Sequence, residues 1–135
     1  MMAGATVLQC KEVRSGWFEN DGKGKFIFHA FPSMSQVAPI NTMVCTDVNG
    51  DGNMDIIAGG NEYEAQVMAG CYDASYGLLL TGDGKRGFNV VTPVSSGWIT
   101  DGDIRDLKMI TVNKQKMLLV AVNDAAMKAL SIAKK

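Results

Sequence analysis

Five oxygen-bearing side chains fall at alternate positions in Asp47-Val48-Asn49-Gly50-Asp51-Gly52-Asn53-Met54-Asp55, and three of them are carboxylates. Like charges brought that close disfavour their ionised forms. A hard cation removes the conflict, and calcium accepts six to eight oxygens at flexible geometry. Gly50 and Gly52 let the backbone coil tightly enough for the oxygens to face one centre. The first six positions match the opening of an EF-hand loop, D-x-[DN]-x-[DN]-G. The match then stops, because Ala58 stands at the twelfth position, where an EF-hand places a bidentate Glu. Ile56-Ile57-Ala58 follows as an apolar, strand-like run. The expected site is an EF-hand-like calcium loop closed by Asp55 and set between two strands. Its ligands are the side chains of Asp47, Asn49, Asp51 and Asp55 and the backbone carbonyl of Asn53. The plain alternative is an acidic Asn-Gly/Asp-Gly hairpin turn, although a two-residue turn does not need five oxygens in register.

Other chemistry-bearing residues read as structure. Gly82-Asp83-Gly84-Lys85-Arg86-Gly87 satisfies G-x-G-x-x-G, but a dinucleotide fingerprint must open a helix, and Phe88-Asn89-Val90-Val91 is strand-like. His29, the single histidine, alternates with Phe28 and Ala30 and reads as a half-exposed strand residue. Asp101, Asp103 and Asp106 surround Arg105, which reads as a carboxylate-bridged arginine in preference to a second ion site. Trp17 and Trp98 each follow Ser-Gly and are expected to pack between blades, with a sugar or peptide surface as the alternative. Neither a G-x-S-x-G elbow nor a P-loop is present. Cys10, Cys45 and Cys71 lack metal-type spacing. Cys45, inside Met43-Val44-Cys45, is expected to be a buried, inert thiol, and a bridge from Cys71 to Cys10 or Cys45 is the less favoured reading.

The elements that must position the loop are strands. Apolar runs are short, rich in β-branched residues and separated by Gly, Asn and Asp, with no sustained helical period. Strands are expected over 5–13, 16–20, 25–31, 40–46, 55–60, 77–82, 87–92, 104–112, 117–122 and 127–133, the last also readable as a short helix. Residues 61–76 read as a long connection. A net charge of −1 gives no electrostatic case for nucleic acid or an anionic membrane. No apolar run approaches the roughly 18 residues of a membrane span. Met1 to Cys10 lacks the basic segment and apolar length of a signal peptide, so an exported parent protein would carry its signal elsewhere.

Two stretches recur at a displacement of 62 residues. Asn20-Asp21-Gly22-Lys23-Gly24-Lys25-Phe26 is answered by Gly82-Asp83-Gly84-Lys85-Arg86-Gly87-Phe88, and 55–61 by 117–123. The acidic loop has no counterpart: Thr111-Val112-Asn113-Lys114-Gln115-Lys116 is two residues shorter and carries no carboxylate. A unit of about 60 residues holding four short strands has the size of a β-propeller blade with one long connection. The expected fold is all-β, with four-stranded antiparallel blades in an incomplete ring of about two blades plus a partial one. In this division 1–37 holds the N-terminus and the end of one blade, 38–93 a whole blade with the loop at 47–55, and 94–135 a partial blade without one.

The loop in its β-repeat setting resembles the FG-GAP/VCBS repeat family, with D-x-[DN]-x-D-G-x-x-D loops between propeller strands. Gln36-Val37-Ala38-Pro39-Ile40, Ala58-Gly59-Gly60-Asn61-Glu62-Tyr63 and Tyr72-Asp73-Ala74-Ser75-Tyr76-Gly77 extend the resemblance over about residues 16 to 133. It departs at Cys71, where a basic residue would be expected, and at 1–15. The resemblance implies calcium-stabilised blades of a large exported bacterial protein, used outside the cell for binding or scaffolding and without catalysis of its own. The alternative is a fragment of a propeller hydrolase or lyase whose catalytic residues lie outside this chain. Expected partners are the remaining blades, or further copies of the chain through exposed strand edges, and a protein or glycan ligand.

Overall fold

The computed structural model describes residues 4, 6–65, 68 and 70–132. The chain is all-β, with 44% strand and 6% helix, and forms three antiparallel sheets, none of them closed. It divides into two compact units, Met1–Phe31 and Pro32–Lys135.

In the first unit β1 (Gly16–Asn20) and β2 (Phe26–Ala30) form a two-stranded hairpin. Its turn is built on Asp21, whose Oδ1 accepts the amides of Lys23 and Lys25 at 2.7 and 3.0 Å. Gly22 and Gly24 take positive φ angles of 75° and 85°, which glycine adopts without steric penalty. The strand expected over 5–13 is not formed over 6–13, which pair with no strand and expose Val7, Leu8 and Val13 at 78%, 90% and 88%; residue 5 lies outside the described residues. β-propensity alone does not make a strand where no edge offers it a ladder.

The second unit begins with a 3₁₀ turn, Ser33–Gln36, and then forms two sheets. The first runs β3 (Ile40–Thr46), β4 (Asp55–Gly60), β5 (Leu78–Gly82) and β6 (Phe88–Val91) in that spatial order. The second runs β7 (Ile104–Val112), β8 (Gln115–Val122) and β9 (Lys128–Ser131). The C-terminal run is therefore a strand and not a helix, and residue 133 lies outside the described residues. Between the sheets is a one-turn helix, α1 (Pro93–Ser96), capped by Thr92 and ended by Gly97 at φ 70°. Proline at the first helical position and glycine just past the last fit these ends.

β4 is buried along its whole length, as a strand covered on both faces must be, and is accordingly an apolar run without alternation. Its two glycines have steric causes. A Cβ at Gly60 would lie 1.7 Å from the carbonyl oxygen of Pro39, and one at Gly59 would lie 2.8 Å from Ile104. Ile104 fills the space over Gly59 and joins Ile57, Leu79, Trp98, Leu107, Leu118 and Val120 in the core. Burying each aliphatic side chain of this kind stabilises by about 1.5–3 kcal/mol. Trp98 is 8% exposed and lies in this core, whereas Trp17 stacks on His29 within its own hairpin. Polar bonds also join the sheets: Asn41 Nδ2 donates to the carbonyl of Ile104, and Thr42 Oγ1 accepts the amide of Leu107.

Corresponding strands pair in matching register. Leu80 lies opposite Val90 as Phe18 lies opposite Phe28, and Gly82 opposite Phe88 as Asn20 opposite Phe26. Met43 lies opposite Ala58 as Leu107 lies opposite Val120, with register shifts at the same place, after Ile40 and after Ile104. Leu80 also lies opposite Ile56 as Leu130 lies opposite Leu118.

The environment of Cys45 differs from expectation. Strand alternation turns Val44 inward and Cys45 outward with Asn41 and Met43, so the thiol is exposed and not buried. Parity along β3 outweighs the apolar character of the run. All three cysteines are free and exposed, so neither bridge is formed.

Candidate metal centre

The acidic loop connects β3 to β4, between Thr46 and its cross-strand partner Asp55. Its oxygens bond to the loop's own backbone. Asp47 accepts the amides of Gly50 and Gly52 at 2.7 and 3.0 Å. Asn49 Oδ1 accepts the amide of Asp51, and Asp51 Oδ1 accepts that of Asn53. The Asn49 amide donates to Asp51 Oδ2 at 2.9 Å. These bonds explain the glycines: Gly50 and Gly52 have φ near 82° and 86°, the left-handed conformation that turns successive amides inward.

Asp55 differs from the rest. It is completely buried; Oδ2 accepts the amide of Val48 at 2.9 Å, and Oδ1 accepts the amide of Gly82 at 3.0 Å. Gly82 approaches this closely because it lacks a side chain, since a Cβ there would lie 2.5 Å from the carbonyl oxygen of Met54. Gly84 lies beside Asn53, where a Cβ would meet Oδ1 at 3.0 Å. The turn joining β5 to β6 thus packs on the acidic loop. Asp83 orders that turn by accepting the amides of Lys85 and Gly87, the scheme Asp21 uses in the first hairpin.

Electrostatically, the amide of Asn53 and the side chain of Asn49 hold the Asp51 carboxyl below its ordinary 3.8. This is opposite in sign to the effect expected from mutual repulsion, because charge-assisted bonds from N–H groups favour the ionised form. Among the described residues no ion pair falls on Asp47, Asp51 or Asp55. Among those residues also, no three His, Cys, Asp or Glu side chains are gathered closely enough to hold a metal. The expected ligands thus share one loop, while their oxygens are directed to amides. Their chemistry nonetheless suits a hard cation: the donors are carboxylate and amide oxygens, and an oxygen bonded to one N–H keeps a second lone pair.

The remaining candidates are placed as follows. Arg105 pairs with Asp103 and with Glu62, so it joins the start of β7 to the segment after β4. Arg105 holds the Glu62 carboxyl below its ordinary 4.5. Asp103 is buried, and among the described residues its Oδ1 has no hydrogen-bond partner. His29 lies opposite Trp17, stacks on it at 4.4 Å and contacts Glu19 Oε2 at 3.0 Å. The strand Phe88–Val91 follows the glycine-rich turn 82–87, so that turn does not open a helix. At the other end of the four-stranded sheet a cleft of about 130 Å³ is lined by Ser35, Pro39, Gly60, Ser75 and Tyr76 among others, with no acidic, basic, His or Cys side chain in its wall. That is below the roughly 300–1,000 Å³ of small-molecule sites. Among the described residues no helix is long and apolar enough to cross a membrane.

Asn61 is a central residue that sequence reasoning did not single out. It follows β4 at φ 79° with 1% exposure, donates to the carbonyls of Ser75 and Gly102, and accepts the amide of Ser75. An available signal was a polar residue ending an apolar run directly after Gly-Gly. Comparison with known proteins gives no matching family, no matching curated protein and no matching solved structure.

Proposed function

We propose that this chain is a non-enzymatic calcium-binding β-repeat module in which the ion stabilises propeller-type blades used for extracellular binding or scaffolding. One observation carries the reading. Three carboxylates occupy a single glycine-wound loop, one of them fully buried, and no cationic side chain pairs with them among the described residues. Buried or clustered anions are normally paired or coordinate a metal. Asp47, Asn49, Asp51 and Asp55, with the backbone carbonyl of Asn53, would hold the ion, which neutralises the loop and cross-links its oxygens. The blade reading is supported by the four-stranded sheet of β3 to β6 and by the registers its strand pairs share with those of the other two sheets.

Titration calorimetry tests the ion. One calcium site is expected, with a dissociation constant on the order of 10⁻⁵ to 10⁻³ M and weaker magnesium binding, because magnesium demands near-octahedral geometry and gives up water reluctantly. No heat with calcium, or equal affinity for both ions, would refute the proposal.

A further inference from the structure

We infer that the β1–β2 hairpin of one copy completes the sheet of a second copy by pairing with β8, at the position β9 holds in this structure. The inference rests on the blade reading but not on the ion.

The first sheet has two strands, the second four and the third three. Registers show which strands correspond. β1 and β2 pair as β5 and β6 do, with Phe18 in the place of Leu80. β7 and β8 pair as β3 and β4 do. The hairpin is therefore the outer half of a four-stranded sheet, and β7–β8 is the inner half of one. Among the described residues β1 pairs with β2 alone. A two-stranded hairpin is marginal in water. This one also exposes Phe18 at 65%, Phe26 at 64% and Ile27 at 51%.

β9 holds the position beside β8 through its ladder, the Lys128–Asp101 ion pair and the bond from the Ile132 amide to the Lys116 carbonyl, but it buries little of its own surface. It takes the register of β5, yet all four of its residues are exposed, whereas Leu79 and Leu80 of β5 are 9% and 0% exposed. Placed there instead, β1 sets Phe18 opposite Leu118 and Gly16 opposite Val120, as Leu80 lies opposite Ile56 and Leu78 opposite Ala58. Its β2 then supplies the fourth strand. The described strands of one chain fill about two blades, and propellers close with four to eight, so we assign this role to the hairpin of a second copy. The contact is head-to-tail, so it closes a ring of two to four copies or propagates as a filament.

Two measurements decide the matter. In calcium buffer, light scattering on the full chain should give a mass of two or more times 14.5 kDa. Phe18→Lys should reduce it to a monomer whose second unit still melts cooperatively. For the register, Phe18→Cys in one chain and Leu118→Cys in another, with Cys10, Cys45 and Cys71 replaced by Ser, should form a mixed disulfide on oxidation. Phe18→Cys with Leu119→Cys, one residue out of register, should link at least tenfold less. A wild-type monomer at every concentration, or equal linking by the two pairs, overturns the inference. Calorimetry on the same sample scores the ion separately, so a missing contact and a missing ion site are distinguished.

Discussion

The β3–β4 and β7–β8 hairpins share a register and a bulge position but close in opposite ways. In the first, pairing stops at Thr46 and Asp55, and the chain between them coils into the acidic loop. In the second, the ladder continues to Val112 and Gln115 and closes through Asn113 and Lys114, at φ 50° and 66°. That is a two-residue turn of the primed type, the usual closure for twisted strands. A hairpin of this register therefore closes without an acidic loop. The loop is an elaboration of a position that a plain turn can fill, and its oxygens call for an explanation beyond chain reversal.

The ends of the two hairpins offer the largest test of that comparison. Asn61 and Asn123 each donate a backbone amide to the residue preceding the partner strand, Pro39 and Asp103. Only Asn61 is buried, with its side chain bonded to the 75 and 102 backbones. Asn61→Ala should destabilise by about 3 kcal/mol, because it leaves buried backbone groups without partners. Asn123→Ala should stay within about 0.5 kcal/mol. Urea melts of both variants measure the difference, and similar losses would mean that the ends are equivalent after all.

The loop comes next. At millimolar calcium a site of the proposed affinity contributes roughly 0.4–3 kcal/mol through mass action. Chelation should lower the melting temperature of the parent chain, and Asp51→Ala should remove that difference. Changing Lys116, in the shorter hairpin, should leave it intact. A chelator effect that survives in Asp51→Ala would place the ion elsewhere.

A smaller effect should come from the plain turn. Lys114 adopts a left-handed conformation that a Cβ disfavours, so Lys114→Gly should stabilise by about 0.5–1 kcal/mol and raise the urea midpoint. A loss of stability would show that the turn is held by contacts of the Lys114 side chain.

The smallest expected effect is that of pH, because the carboxylates concerned are solvent-accessible. Arg105 depresses the Glu62 pKa below 4.5, and the Gly87 and Lys85 amides depress the Asp83 pKa below 3.8. Depressed folded-state values mean that the stabilisation is complete above the unfolded pKa and is lost as pH falls through the folded one. Melting temperature in chelator should therefore be flat above about pH 5 and decline below about pH 4. Glu62→Gln should make that decline shallower.

What could be read in the sequence follows the range of the interactions involved. The strands 40–46, 55–60 and 104–112 agree to the residue with expectation, because their apolar runs end abruptly at Gly, Asn or Asp. The loop between β3 and β4 was legible for the same reason. Strand parity was available too, yet the apolar neighbours of Cys45 obscured it. Thr92-Pro93 before Gly97 spelled out a short capped helix that strand-like surroundings masked. The second partner of Asp55 was not legible, since the Gly82 amide is 27 residues away and a backbone group leaves no mark in composition. Nor could sequence reveal that Arg86 takes a positive φ of 73° where Gly24 stands in the matching turn.

The position of Asp55 has a mechanical consequence. One carboxylate holds an amide of its own loop and an amide at the end of β5, two strands that are already neighbours in the sheet. The acidic loop therefore cannot swing outward and keep both bonds: moving Val48 away breaks its bond to the Asp55 carboxylate, while the bond from Gly82 still ties the end of β5 to β4. The buried carboxylate thus tethers the start of the loop at Val48 to the centre of the sheet through a single side chain.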